Sequence, residues 1–266
     1  MTVIHVNMDI QLPEGFSEYE IETDRNLELN FRADKNCDVF VRIKKGNQIR
    51  LRTYAAKDVT VNYLFWNDCK QNLVVDENHE VSGNANVTVG YGEMNGASTK
   101  RNIYMVLRES GARGLLRSST LVNCEKQYHM QVVNEAPHTY GDMKNFAVVL
   151  KEGNLMIDAI GKIVKGSYQS ESHQTSRALS FEEGQRATIL PELLIDEDDV
   201  QASHAMSMGT VDSDAMYYLM TRGLSMKQCT SLIAQGYLLP IVDTLQNEQL
   251  QSTLKEEMER KLIEIC

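Results

Sequence analysis

Val39-Phe40-Val41-Arg42-Ile43, followed at once by Lys44-Lys45-Gly46-Asn47, reads as a short strand closed by a turn. Side chains alternate along an extended chain, so Val39, Val41 and Ile43 fall on one face and Phe40 and Arg42 on the other. β-Branched and aromatic residues suit the pleated backbone. Gly46 and Asn47 accept a positive φ at little cost, which ends the strand. The same unit recurs along the chain. Val59-Thr60-Val61-Asn62-Tyr63-Leu64, Val87-Thr88-Val89-Gly90-Tyr91, Ile103-Tyr104-Met105-Val106-Leu107 and Phe146-Ala147-Val148-Val149-Leu150 read as further strands. Ser82-Gly83-Asn84 and Lys151-Glu152-Gly153-Asn154 read as further turns. The strand starts, at 39, 59, 87, 103 and 146, loosely match a coil of about 20 residues with some coils missed or enlarged. A repeat of that size without intervening helices belongs to a stacked β solenoid. A β-sandwich with irregular loops has a similar period, and the period alone does not separate the two.

After residue 210 the pattern changes to helices. Asp214-Ala215-Met216-Tyr217-Tyr218-Leu219-Met220 is helical, with Asp212 or Ser213 as its N-cap. Arg222-Gly223 closes it, the glycine taking the left-handed position past the helix end. Ser225-Met226-Lys227-Gln228 is a capping box that opens a second helix carrying Leu232 and Ile233 and running to Gly236. Pro240 is placed to open a last helix at its first position. Along that helix Leu250, Leu254, Met258 and Leu262 form a narrow apolar stripe opposite a face dense in Glu and Lys. The expected organisation is a β body over residues 1–209, its first 25 or so residues an N-terminal extension, and a helical unit over 210–266.

Bulk properties exclude several classes of function. The 266 residues are 42% hydrophobic and 24% charged, ordinary values for a soluble globular protein. The net charge of −10 argues against nucleic acid, because phosphate binding needs clustered Lys and Arg. The acidic run Asp196-Glu197-Asp198-Asp199 reads as a solvated turn. No apolar run is long enough to span a bilayer, and the first nine residues lack the basic and apolar regions of a signal peptide. The five cysteines, Cys37, Cys69, Cys124, Cys229 and Cys266, are odd in number and far apart, which fits free thiols in a reducing cytoplasm.

Motifs of nucleotide and hydrolytic chemistry are missing. There is no Walker loop, and Gly161-Lys162-Ile163-Val164-Lys165-Gly166 has the wrong spacing for one. There is no dinucleotide fingerprint, nucleophile elbow or HExxH zinc motif. The adjacent carboxylates Glu182-Glu183 and Asp198-Asp199 point to opposite sides of an extended chain, unlike a glycosidase pair. A carbohydrate-active β-solenoid enzyme stays open as an alternative. Among the six histidines, His5 and His79 lie in polar stretches and are expected at the surface. His129 and His138 flank a loop at Pro137; His173 and His204 lie in Ser170–Ser176 and Gln201–Gly209.

Residues 165–239 resemble the SufB/SufD family of iron–sulfur cluster assembly scaffolds. The residues that carry this are Gly-Ser-Tyr-Gln-Ser-Glu-Ser-His-Gln-Thr-Ser-Arg-Ala-Leu at 166–179, Pro191-Glu192-Leu193-Leu194-Ile195-Asp196, Asp199-Val200-Gln201-Ala202-Ser203-His204-Ala205, Gly209-Thr210-Val211-Asp212 and Tyr217-Tyr218-Leu219-Met220-Thr221-Arg222-Gly223-Leu224-Ser225. The resemblance implies a right-handed parallel β-helix with a small C-terminal helical domain. It implies that this domain docks onto a SufC-like ABC-type ATPase, at Arg222, Gly223, Leu224 and Ser225, which leaves nucleotide chemistry to the partner. It implies dimerisation through the terminal strands of the β-helix, with a SufB/SufD-like subunit or, for a short member, with a second copy. The chain is then a non-catalytic scaffold on which an iron–sulfur cluster is held transiently, or a structural partner of the ATPase without cluster chemistry. His204 matches the interface histidine that the family offers to the nascent cluster. Ser176 stands where the family's sulfur-accepting cysteine is expected, and Ala202 where SufD-type members often carry one. Cys124, the other thiol in the later half of the β body, is the remaining candidate ligand. The chain is also shorter than typical members and is expected to lack their N-terminal helical region.

Overall fold

The computed structural model describes residues 1–181 and 186–265. Cys266 and the Glu182-Glu183 pair lie outside the described residues. Strands alternate between two wholly parallel sheets. Sheet A contains β1 (Thr2–Ile4), β3 (Gly15–Glu22), β5 (Cys37–Lys45), β7 (Thr60–Asn67), β9 (Asn86–Glu93), β11 (Arg113–Val122), β13 (Tyr140–Val149), β15 (Ser170–Ser180) and β17 (Val200–Thr210). Sheet B contains β2 (Met8–Gln11), β4 (Leu27–Ala33), β6 (Gln48–Ala55), β8 (Leu73–Val81), β10 (Thr99–Leu107), β12 (Glu125–Asn134), β14 (Asn154–Ile163) and β16 (Arg186–Ile195). Each coil gives one strand to each sheet, so the molecule is a parallel β-helix.

Sheet A strands start at 37, 60, 86, 113, 140, 170 and 200, so a coil grows from 23 residues (60−37) to 30 (200−170), longer than the repeat read from the sequence. Residues 1–25, expected as an extension, instead lay down β1 to β3 as the beginning of the same two sheets. The coils share one backbone device. At the turn from sheet B to sheet A, Asp58, Asn84, Gly111, His138 and Gln169 all adopt positive φ, between 54° and 78°. Stacked turns bond to each other, as where Asn84 Nδ2 donates to Asp58 Oδ1 at 3.0 Å. At Gly111 the stack leaves no room, since an added Cβ would lie 2.1 Å from Asn84 Oδ1.

Two apolar cores result. The first fills the solenoid with inward residues of both sheets, among them Leu29, Phe31, Val41, Tyr63, Val89 and Ile157. The second lies outside it, where the helical unit folds back over sheet A. That unit comprises α1 (Ser213–Thr221), α2 (Met226–Leu238), a 3-10 turn (Leu239–Thr244) and α3 (Glu248–Ile265). Pro240 sits in the 3-10 turn rather than opening the last helix, and Gly236 lies within α2. Asp212 caps α1 and the Ser225–Gln228 capping box opens α2. Leu254, Met258 and Leu262 of α3 are fully buried against Phe40, Leu64, Trp66, Leu121 and Val148 of sheet A. Trp66 packs flat on Gly92, where a Cβ would come within 2.4 Å of the indole. An ion-pair cluster pins the edge of this contact: Arg42 bonds Asp68 at 2.5 Å and Glu257 at 3.0 Å, and Lys261 bonds Asp68 at 2.5 Å.

Candidate functional site at the open end of the solenoid

Among the described residues, no further strand is stacked upon the last coil. β15 buries Ser172, Gln174, Ser176 and Ala178 in the interior. Parallel register places Ala202 beside Ser172, His204 beside Gln174, Met206 beside Ser176 and Met208 beside Ala178. These four β17 residues therefore share the inward face, yet they are exposed, Met206 at 45% and Met208 at 48%. In β16, Ile189, Pro191 and Leu193 continue the inward file of Ile157, Ala159 and Gly161. Both strands pair on one side only, leaving a row of backbone donors and acceptors open on the other. An apolar, unpaired sheet end with a histidine in its middle is a template for another chain.

The histidines now separate. His173 is one strand inside the end and fully engaged: Nδ1 lies 2.7 Å from Ser203 Oγ and Nε2 3.1 Å from Glu171. That is a structural role, fastening β17 to β15. His129 holds Asp158 at 2.7 Å on sheet B. His79 is not at the surface as the sequence reading expected. It is completely buried, 2.8 Å from Thr53 Oγ1 and 3.2 Å from the Tyr91 hydroxyl.

Ser176 and Cys124 differ sharply in setting. Ser176 ends an interior ladder in which Ser118 donates to Asn145 at 2.7 Å and Asn145 donates to Ser176 at 3.2 Å. Cys124 lies in the turn between β11 and β12, half-buried, and burial raises its thiol pKa although Lys126 acts in the opposite sense. In sheet A, β11 is three strands from β17, a separation of about 14 Å before the offset along the strands is added. One chain thus does not bring His204 and Cys124 together. Among the described residues, no three His, Cys, Asp or Glu side chains are grouped to hold a metal ion.

The turn Arg222 to Ser225 sits on a second exposed surface. Arg222 stacks over the Tyr218 ring at 5.0 Å and donates to its hydroxyl at 3.1 Å. Gly223 has φ +93°, and Ser225 caps α2. α1 buries none of its residues, and Tyr217, Met220 and Met226 stand out around the turn.

Sequence reading missed the charged heart of the solenoid. Arg101, completely buried, reaches Glu93 at 2.6 Å and Glu77 at 2.5 Å. Lys126 donates to Asn95 at 2.5 Å, Thr99 at 3.0 Å and the Ala97 carbonyl at 2.8 Å. Burial alone would raise the Glu77 pKa, but Arg101 and then His79 outweigh it and hold the carboxyl below its usual range. The signal was phase: Glu77 and His79 alternate in step with Leu73, Val75 and Val81, which are inward. On the outside of sheet B, a groove of about 570 Å³ includes Arg52, Tyr54, Asp9 and Glu80. Asp9 accepts from Asn30 at 2.5 Å and Glu80 pairs with Arg108 at 3.4 Å.

Comparison with known proteins places the chain in a family. Residues 32–237 match the family model described as SUF system FeS cluster assembly, SufBD core domain. Over 137 residues the chain is 34% identical to the iron–sulfur cluster assembly protein SufD of Bacillus subtilis, covering 52% of this chain and 31% of that protein. It is 26% identical over 164 residues to a SufBD family protein of Pyrococcus horikoshii, covering 60% and 34%. SufB of Bacillus subtilis matches at 23% over 161 residues, covering 58% and 34%. The matched stretches thus span about a third of each relative's length. The chain belongs to the SufBD family of iron–sulfur cluster assembly proteins.

Proposed function

We propose that this chain is a non-catalytic scaffold subunit of a cytoplasmic cluster-assembly complex, working with a SufC-like ABC-type ATPase. The ATPase docks on the surface around Arg222, Gly223, Leu224 and Ser225. The β16–β17 end pairs with a second copy of the chain or with a SufB/SufD-like subunit. His204, on the inward face of that end, is offered to the nascent iron–sulfur cluster, which is cargo and not a resident group. The observation that carries this reading is the placement of His204 at the centre of an apolar, unpaired sheet end. An imidazole is an appropriate iron ligand. Since Cys124 is remote in the same chain, it would join the ligand set only from a partner subunit. The residual alternative, a structural partner of the ATPase without cluster chemistry, is favoured by Ser176, which cannot carry a persulfide.

Anaerobic reconstitution with iron and sulfide, read by visible absorption, tests the proposal. The wild-type complex is expected to develop cluster bands and His204→Ala to lose them with ATPase binding unchanged. Equal bands in both would remove His204 from cluster handling, and none in the wild type would leave the structural role.

A further inference from the structure

We propose that the outer face of sheet B binds an extended peptide by its C-terminal carboxylate, along a row of side chains running from Arg52 to Gln131. Parallel register sets Arg52, Asn78, Tyr104 and Gln131 side by side on β6, β8, β10 and β12. All four alternate with buried residues of their strands and so face outward. With neighbouring strands about 4.8 Å apart, the row is about 14 Å long. Two adjoining grooves cover it. The groove of about 570 Å³ reaches Arg52 and Asn78, and a second of about 410 Å³ is lined by all four residues.

The row differs from the one beside it. Two residues back along the same strands, Arg50 pairs with Glu28 at 3.0 Å, Asn102 donates to Asp76 at 2.7 Å and His129 holds Asp158 at 2.7 Å. At the head of the row itself, Asn30 donates to Asp9 at 2.5 Å. There the pairing stops, because the register neighbour of Asn78 one coil back is Arg52 and not an aspartate. Among the described residues, none of the four side chains from Arg52 to Gln131 finds a hydrogen-bond or ion-pair partner, and Asn78 Oδ1 is also shielded from water. Arg32 and Arg50 hold Asp34 and Glu28, so Arg52 is the guanidinium left for a carboxylate, which it can grip with two parallel hydrogen bonds. Asp9 and Glu80 on the same groove disfavour a ligand of higher negative charge. Beyond Arg52 the row offers two carboxamides and a phenol, each able to donate and to accept. A peptide unit presents one donor and one acceptor, and four extended residues span about 14 Å, the length of the row. The inference does not rest on the cluster reading, since β6 to β12 lie away from the β16–β17 end and the helical unit folds over sheet A.

The test is fluorescence polarisation of N-terminally labelled tetraalanine on the full chain, with its C-terminus either free or amidated. The free acid is expected to bind about tenfold or more tightly than the amide, and Arg52→Gln to abolish that preference. Gln131→Ala should weaken both peptides. Arg50→Gln, which removes a guanidinium already paired, should leave the preference intact. Arg52 and Gln131 lie at the surface, so an unchanged unfolding temperature shows that their variants are folded. Unlabelled N-acetyl-tetraalanine should displace the probe, while acetate at the same concentration should not. Equal binding of acid and amide, a preference that survives Arg52→Gln, or displacement by acetate as effective as by the peptide would overturn the site.

Discussion

The outer face of sheet A and the open end at β16 and β17 are both apolar, but the chain covers only the first. Phe40, Leu64, Trp66, Leu121 and Val148 would be an exposed patch on a bare solenoid; α2, the 3-10 turn and α3 bury them completely or nearly so. Met206 and Met208 remain about half exposed, with the edge of β17 unpaired. The difference teaches where stability ends and assembly begins. Burying apolar side chains stabilises the fold wherever it occurs. Leaving them open at an unpaired edge invites association, a liability that proteins otherwise block.

Substitutions should break this contrast in a graded way. Trp66→Ala removes the largest side chain of the covered face and is expected to cost about 3–5 kcal/mol, measured by denaturant unfolding. Leu254→Ala, from the opposite side of the same contact, should cost about 2–5 kcal/mol and make α3 more sensitive to proteolysis. The sealed interior gives a pH-dependent comparison. Because Glu77 is held below its usual range, its contribution is present above the carboxylate range and lost as pH falls through its folded value. Thermal unfolding followed from neutral to acid pH should therefore show a steeper loss for the wild type than for Glu77→Gln, which starts lower. At the open end Met206→Lys should change unfolding by no more than about 0.5 kcal/mol, because the side chain is already in water. Its effect should appear in assembly instead, as a smaller mass by light scattering.

The two regions also explain what could be read from the sequence. In sheet A, β5, β7, β9 and β13 were legible and β11 and β15 were not; the legible ones have both faces dry in places, and Val39 to Ile43 and Phe146 to Leu150 read as near-continuous apolar runs. β6, β8, β12 and β14 were passed over because their outer positions are solvated, with Arg50, Arg52, Asp76, Asn78, His129 and Gln131 interrupting the pattern. Reading β10 of sheet B in series with strands of sheet A, at 87 and then 103, counted part of a coil as a whole one and shortened the apparent repeat. The true repeat is written in the positive-φ positions from Asp58 to Gln169, which only partly coincide with Gly and Asn. The helix caps at Asp212 and Ser225 were readable because they are local. Burial of His79 and Arg101 was not, since it depends on partners one coil away. At the site, His204 was singled out by resemblance; its inward face and its companions Met206 and Met208 became visible only through the register with β15.

Amide hydrogen exchange on the complex isolated from cells through a tag on this chain, compared with the Met206→Lys variant, addresses the open end most directly. The account predicts slow exchange over Val200–Thr210 in the wild-type complex and fast exchange there in the variant, with Tyr140–Val149 protected in both. Equal exchange over Val200–Thr210 in the two proteins, fast or slow, would contradict an assembly face at this end.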